Sequence, residues 1–572
     1  MADATETPEL SASEYEQERR KKRQTLVDAG LDVYGRRTQG ITPVADAPQP
    51  PQEGEGDVVK VAGRVVLKRD MGKLSFLTIR DATGDLQIGL QKNRLDDDGW
   101  LIRQNLDLGD QIVAEGPIGL TKTGQPTVWA TAVSMASKSL VVPPDKHKGL
   151  ADPELRYRQR YVDLWANPES MEVMQKRFAI IDAMRNYLKK RGFVEVETPM
   201  LQPIHGGAAA RPFETKHNAY GMDLFLRIAP ELYLKRLVVG GMPKVFEINR
   251  NFRNEGVSPK HNPEFTMLEA YEAYGNWETM AELVEDMICT VAMEVLGTTK
   301  ITIGEKEVDL GKRPWRRASL VELVEERTRW HFDKRPLQDC DPDLFYALVL
   351  HKAEDLRAQV NETTSSVIRR IKQDAEAVTK SLAETGDVNS FGDLLGLVVR
   401  AAPSLKRHYD DIVEVKVQNR QLTDPERAAD QRLRQLSPFA QLVEVYERFV
   451  EPALAAPVFI TRFPSTVIPL ARPSEDDSDF CDVYELAIGG QEISPGYTEL
   501  NDPDVQARLF QEQVVEDEGE RQKVDHDFLH ALKVGMPPAG GMGLGVDRLV
   551  MLLLGQPSIR DVLAFPLMKP QS

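Results

Sequence analysis

The spacing of hydrophobic and polar positions changes several times along this 572-residue chain. Between residues 58 and 143 it favours strands. Val59, Val61, Val65 and Leu67 lie in one β-rich run, and Leu74, Phe76 and Leu77 lie in the next. Turn signals at Ala82-Thr83-Gly84-Asp85 and Lys122-Thr123-Gly124-Gln125-Pro126 punctuate these runs. Short strands at such spacing predict a small β-barrel. From residue 144 onward helical and strand patterns mix. Pro168 to Arg191 reads as an amphipathic helix, with Asn167 suited to its cap and Pro168 to its first position, where no N–H is needed. Gly192 stops it, and Phe193-Val194-Glu195-Val196 leads on to Pro199.

The flanking patterns differ. Residues 1–57 read as a polar helix followed by a Pro-rich linker, Pro43 to Gly56, which predicts a domain boundary. The helix carries Arg19-Arg20-Lys21-Lys22-Arg23, either a solvated face or an RNA contact. Residues from about 335 to 437 are rich in Glu, Lys, Arg, Ala and Leu at helical spacing. They predict a helical insertion, with the alternative that these helices belong to the main core. The expected division is 1–57, 58–143 and 144–572, with the insertion inside the last.

A chain of this length exceeds one ordinary core, which agrees with several domains. No apolar run is long enough to span a bilayer, and the polar, acidic start predicts no secretory signal. Cys289, Cys340 and Cys481 are scattered and lack CxxC spacing, which disfavours disulfides and zinc. A cytoplasmic protein is expected. The net charge of −17 disfavours nonspecific nucleic-acid binding over the whole surface but leaves room for local basic patches.

No GxxxxGK[ST] occurs, so a P-loop is excluded. Gly543-Leu544-Gly545 starts like a dinucleotide fingerprint, but Arg548 stands at the third glycine position. Two distant segments carry more weight. Phe252-Arg253-Asn254-Glu255 precedes His261-Asn262-Pro263-Glu264-Phe265-Thr266, setting a guanidinium and a carboxylate beside an aromatic ring. Gly541-Met542-Gly543-Leu544-Gly545-Val546-Asp547-Arg548 is a glycine-rich entry into an apolar helix.

Together these segments resemble the ATP site of the class II aminoacyl-tRNA synthetases. Asn249 to Glu269 resembles motif 2, two antiparallel strands and a loop. Gly541 to Leu554 resembles motif 3, and Gly192 to Pro199 resembles motif 1, which implies a homodimer interface. The implied fold is α+β: an N-terminal OB-fold barrel and an antiparallel-sheet catalytic domain carrying a helical insertion. The resemblance places Arg253, Glu255, His261, Asn262, Phe265, Glu485 and Arg548 around ATP. Activation joins two anions, so a planar guanidinium at Arg253 suits both the carboxylate and the α-phosphate. Phe265 would stack on adenine with Arg548 over the other face, and Glu485 and Glu492 would hold Mg²⁺.

The match sharpens to the bacterial lysyl-tRNA synthetases. Arg156 to Leu164, Gly206 to Phe213, Ala229 to Leu237, Gly489 to Ile493 and Thr498 to Asp502 all resemble that family. It implies lysine, ATP and tRNA(Lys) as partners. Gly207 and Glu231 would hold the α-amino group and Arg253 the carboxylate. Glu269, Tyr271 and Glu499 would form the ε-ammonium pocket, with Tyr497 beside them. A desolvated cation needs such compensating groups. In the barrel, Arg64, Phe76, Arg80 and Gln87 would read the anticodon, Phe76 being either a stacking platform or a core residue.

One stretch departs from the family. Ser494-Pro495-Gly496-Tyr497 stands where glycine-asparagine-glycine-phenylalanine is common. Pro495 supplies no side-chain donor, so carboxylate binding rests more on Arg253 or a water. The rival readings are an enzyme that lysylates a protein, such as elongation factor P, and a regulatory protein on a dead synthetase fold. The barrel argues against the first, and the intact Arg253, Glu255, Phe265 and Arg548 argue against the second.

Overall fold

The computed structural model describes residues 14–141, 143–144, 150–208, 210–345, 347–349, 351–352, 425–516 and 524–570. The chain forms two compact units, Met1–Arg177 with Arg560–Ser572, and Phe178–Ile559.

The first unit is built on a closed barrel. After helix α1 (Glu14–Asp28) come β1 (Glu55–Met71), β2 (Leu74–Arg80), β3 (Asp85–Gln91), α2 (Asp97–Asn105), β4 (Gln111–Leu120), β5 (Pro126–Trp129) and β6 (Ala132–Ser137). The strand order is β1-β2-β3-β5-β4-β6, and β1 also pairs with β4 to close the ring. Alternation explains the barrel. Ser75, Leu77 and Ile79 point inward on β2, while Phe76, Thr78 and Arg80 stand half-buried on the outer face.

Two features of the N-terminal region are clearer in the structure than in the sequence. The stretch before the barrel is packed onto it: Leu26, Val33 and Val44 belong to the barrel core. Asp81 Oδ2 accepts from the Val44 N–H at 2.9 Å, and β1 already begins at Glu55. Apolar residues within a Pro-rich run dock it, where composition alone suggests a spacer. The basic cluster is also partly a docking face. Arg19 is buried and donates to the Leu108 and Ser139 carbonyls at 3.0 and 3.1 Å, and Lys22 pairs with Asp107. Helices α3 (Pro153–Arg158) and α4 (Arg160–Ala166) stay with the barrel unit. Arg160 is buried, pairs with Asp163 at 2.6 Å and donates to the Arg560 carbonyl at 2.6 Å. The units separate within α5 (Pro168–Lys190).

The second unit holds an eight-stranded sheet. Chain order gives β7 (Val194–Glu195), the small sheet β8 (Leu201–Gln202), β9 (Glu214–His217) and β10 (Met222–Leu226), then α6 (Glu231–Val239), β11 (Lys244–Phe252), β12 (Glu264–Ala273) and α7 (Trp277–Leu296). A hairpin, β13 (Lys300–Ile303) and β14 (Lys306–Asp309), precedes β15 (Arg316–Ser319), α8 (Leu320–Thr328) and α9 (Leu337–Cys340). The remaining elements are α10 (Pro425–Gln435), α11 (Pro438–Val445), a π-helical turn over Tyr446–Val450, β16 (Val458–Thr461), β17 (Val483–Ala487), β18 (Glu492–Thr498), α12 (Pro503–Glu516), α13 (His526–Gly535), β19 (Ala539–Gly545) and α14 (Val546–Leu553).

The order of the large sheet is β15-β16-β17-β18-β19-β12-β11-β7. Its pairs are antiparallel except β15–β16 and β11–β7. The 335–437 segment is less peripheral than its composition suggests. Leu337, Phe345, Leu348, Ala429 and Leu433 are buried in one core with Val458 and Ile460 of the sheet. Gln441 links both ends, accepting from the Leu337 N–H at 2.7 Å and donating to the Leu433 carbonyl at 2.8 Å. Residues 353–424 of the expected insertion lie outside the described residues.

Candidate active site

A cavity of about 360 Å³ opens over β12, β18 and β19. The β11–β12 hairpin supplies its ligand-facing edge. Phe252 pairs with Glu264, and the Arg253 N–H donates to the Pro263 carbonyl at 2.9 Å. Arg253 then projects over the Phe265 ring, 5.1 Å from its centroid, and its buried Nε has no hydrogen-bond partner among the described residues. An unpartnered guanidinium donor in a cavity is costly unless an anion satisfies it. Asn262 donates to the Glu264 carbonyl at 2.6 Å, which fixes its amide, while its buried Oδ1 has no partner among the described residues. Glu255 lines the cavity from the exposed loop.

The entry to α14 closes the opposite wall. Asp547 Oδ2 accepts from the Thr266 N–H at 2.7 Å, which locks this helix onto β12. Arg548 is engaged: Nη1 donates to the Glu492 carbonyl at 3.0 Å, and Nη2 lies 3.1 Å from His261 Nε2. Burial, then the nearby Arg548 charge, holds the His261 pKa below its ordinary value. Arg548 is therefore a half-buried strut at the cavity wall, and Arg253 is the cation over Phe265.

Glu485 and Glu492 lie on adjacent strands β17 and β18. Tyr446 donates to Glu485 Oε1 at 3.0 Å. Burial, then the charges of Glu492 and Glu451, drives the Glu485 pKa well up. Glu492 lines the cavity, whereas Glu485 stands behind it. Crowded carboxylates of this kind favour a hard divalent cation, so the donor set fits Mg²⁺. Among the described residues no cluster of three or more such side chains forms a cation cage of its own, so other oxygens must complete the coordination shell.

The far end is deeper and more charged. Gly207 takes φ +88°, and a Cβ there would lie 3.1 Å from Glu231 Cβ, so glycine lets this loop close over Glu231. Glu231, Glu269, Tyr271 and Glu499 are all buried, and Tyr271 donates to Glu269 Oε2 at 3.2 Å. Burial and the neighbouring Glu231 charge drive the Glu269 pKa well up; burial pushes that of Glu499 up to about 7 against the pull of Lys235. Tyr497 reaches the cavity from β18. Glu499 does not line it; it sits beneath Gly541, where a Cβ would fall 1.9 Å from Glu499 Oε1. That missing side chain is what lets Glu499 and Tyr271 reach under the strand.

Lys235 was not singled out from sequence. It is fully buried, with Nζ 2.7 Å from Glu231 Oε1 and ion-paired with Glu499. Its sequence signal is its place one helical turn after Glu231, in a largely apolar helix. Pro495 stands just before β18 begins its pairing with β19 at Gly496, so its missing N–H breaks no bond between those strands. Ser494 bridges them instead, donating to the Gly543 carbonyl at 2.5 Å.

On the barrel, Phe76 meets Trp129 edge-to-face, with centroids 5.8 Å apart, on the outer face. Gly89 makes room for Trp129, since a Cβ there would lie 2.6 Å from its ring. Phe76 is absent from the barrel core, and Gln87, two residues from Gly89, shares its half-buried outer face. Arg64 and Arg80 pair in register, but their donors are engaged within this unit. Arg64 donates to the Gly109 carbonyl at 2.7 Å and stands over Trp165, and Arg80 pairs with Asp85 and donates to the Trp165 carbonyl at 3.1 Å. Trp129 escaped the sequence reading, although its alternation with Thr127 after a turn marks the outer face.

This architecture is that of a class II synthetase with an anticodon-type barrel. Residues 152–569 match the class II tRNA synthetases (D, K and N), and residues 59–136 match the OB-fold nucleic acid binding domain. The lysine–tRNA ligase of Syntrophomonas wolfei is 39% identical over 99% of both chains. That of Pelotomaculum thermopropionicum is 41% identical over 97% of this chain and 94% of its own. That of Xanthomonas campestris is 40% identical over the full length of both. The chain belongs to the class II lysine–tRNA ligase family.

Proposed function

We propose that this protein activates L-lysine with ATP to lysyl-adenylate and transfers it to the 3′ end of tRNA(Lys). The observation that carries the reading is the buried anionic end of the cavity, lined by Glu231 and Glu269 with Glu499 beneath Gly541, and Arg253 Nε, unpartnered among the described residues, toward its open end. Glu269, Tyr271 and Glu499 receive the ε-ammonium, with Tyr497 against the side chain. Gly207 and Glu231 receive the α-ammonium. A neutral or acidic side chain would leave these carboxylates buried and uncompensated.

Arg253 spans the substrate carboxylate and the α-phosphate and offsets their repulsion as the new bond forms. Phe265 supports the adenine ring, and Asn262 Oδ1 offers an acceptor beside it. Glu255 and His261 border the same space, and Arg548 supports the wall through Glu492 and His261. Glu485 and Glu492 would hold Mg²⁺, which supplies charge neutralisation for the phosphates.

Phe76 and Trp129 stack anticodon bases, with Gln87 bonding to a uracil edge. Arg64 and Arg80 contribute by holding that end of the barrel. The chain acts as a homodimer through the motif 1 region, where Phe178, Val194, Met200 and Leu201 leave large apolar side chains exposed. It works in the cytoplasm, in keeping with three free cysteines. No helix of the described residues is long and apolar enough to cross a membrane. ATP–pyrophosphate exchange with each of the twenty amino acids tests the reading. Lysine alone should support rapid exchange; equal exchange with aspartate or asparagine would overturn it.

A further inference from the structure

We propose that Lys235 is a positioning residue for lysine recognition: a resident counter-ion that compensates the buried charge of Glu231 and Glu499 and aims them at the incoming substrate. The proposal rests on the lysine reading of this pocket.

The geometry is specific. Lys235 Nζ lies between two carboxylates that come from distant parts of the chain, Glu231 on its own helix and Glu499 just after β18. All three side chains are buried, and Lys235 has no exposed surface. Two buried carboxylates so placed would otherwise repel and share a proton. A lysine one turn after Glu231 prevents that, because its ammonium donates to Glu231 and forms an ion pair with Glu499. Apart from that ion pair, neither oxygen of Glu499 has a hydrogen-bond partner among the described residues. Its Oε1 faces the space that the absent Gly541 side chain leaves, beside Tyr271 at the cavity floor. Glu499 is thus held by one cation and left with an open acceptor for a second.

Charge counting gives the consequence. The buried end contains three carboxylates, Glu231, Glu269 and Glu499, and Lys235, with Arg253 at the open end. Lysine brings two ammonium groups and one carboxylate. Protein and substrate charges then cancel only if Lys235 is counted. Without it, one carboxylate must bind a proton or remain uncompensated, both of which oppose substrate binding. Tyr271 and Tyr497 face the same space as neutral phenols. Glu247 has its own partner in Arg227 at 2.7 Å, and Arg236, next along α6, is paired with Asp525. No other charged side chain among these is placed to substitute for Lys235. The Lys235 charge acts to lower the Glu499 pKa, so removing it raises the pH at which the pocket becomes fully ionised.

The test is the pH profile of lysine-dependent ATP–pyrophosphate exchange by the full-length enzyme, compared for wild type, Lys235→Met and Lys235→Gln. Folding is checked by circular dichroism and thermal melting. Wild type should activate lysine; failure there would overturn the pocket reading itself. Given an active wild type, the acid limb of kcat/KM for lysine should move up by about 1–3 pH units in the variants, as expected for loss of a cation in contact with a carboxylate. The KM for lysine should carry most of the loss, and Lys235→Arg should restore part of the limb. A structural filler would lower activity without moving the limb. An unmoved limb in either folded variant overturns the proposal. So does failure of both neutral variants to fold, because the ion pair would then be a structural requirement and not a setting of the pocket.

Discussion

The two ends of the active-site cavity solve opposite problems. At the end proposed for lysine the charged groups are already tied to one another: Tyr271 donates to Glu269, and Lys235 ties Glu231 to Glu499, whose oxygens keep room for a further donor. At the end proposed for the nucleotide, Arg253 Nε and Asn262 Oδ1 have no hydrogen-bond partners among the described residues, in a half-open wall. A small substrate with one distinguishing charge is best recognised by groups fixed in advance, because their ordering entropy is lost at folding. A nucleotide brings phosphate acceptors for the Arg253 donor and amino donors for the Asn262 oxygen, so both can wait for it.

The largest effect should follow from emptying the nucleotide end. Arg253→Ala is expected to cost about 3–4 kcal/mol or more in adenylate formation, the scale of a lost donor to developing charge. Pyrophosphate exchange by a variant with a wild-type melting profile measures it. Normal exchange would mean that Arg253 is not the bridging group.

Next comes the lysine end. Glu499→Gln should lower kcat/KM for lysine by about 2 kcal/mol or more, as for a truncated buried charge pair. It should also lower the melting temperature, since Lys235 loses a partner. The pH dependence has a definite sign. A carboxyl raised to about 7 by folding contributes stability below its unfolded pKa near 4.5, and that contribution is lost as pH rises through about 7. The empty pocket should therefore be less stable at pH 8 than at pH 6, and lysine should raise the melting temperature more at pH 8. An equal shift at both pH values would contradict a raised Glu499.

The barrel gives a smaller effect and leaves the cavity untouched. Phe76→Ala or Trp129→Ala should spare exchange and weaken tRNA binding by about 1–3 kcal/mol, one base stack. The smallest change should be Pro495→Asn. One added hydrogen bond and one loosened backbone position are each worth about 1 kcal/mol, with opposite signs. A hundredfold fall in kcat/KM would mean that Pro495 shapes the site itself.

How far the sequence reveals this site depends on how local each feature is. The motif 2 hairpin and the glycine-rich entry to α14 are continuous segments, so their residue order already predicts strand, turn and helix. The barrel follows from alternation on β2 in the same way. Lys235 was missed because its role depends on Glu499, some 260 residues away, and a helix pattern does not distinguish a buried paired lysine from an exposed one. Gly541 is similar, since its lack of a side chain matters only because Glu499 and Tyr271 cross beneath it. The Pro43–Gly56 stretch misleads for the converse reason. Its composition is that of a spacer, but Val44 is buried in the barrel core.

The central claim is that a buried, preset anionic pocket selects an ammonium at the end of the substrate side chain. Its most direct test is pyrophosphate exchange with lysine against norleucine, which has the same chain length without the charge. The account predicts a kcat/KM ratio of about 10⁴ or more in favour of lysine, as for sites whose buried polar groups are left unpaired by the wrong substrate. A ratio below about a hundredfold would show that shape, and not the paired carboxylates, selects the substrate.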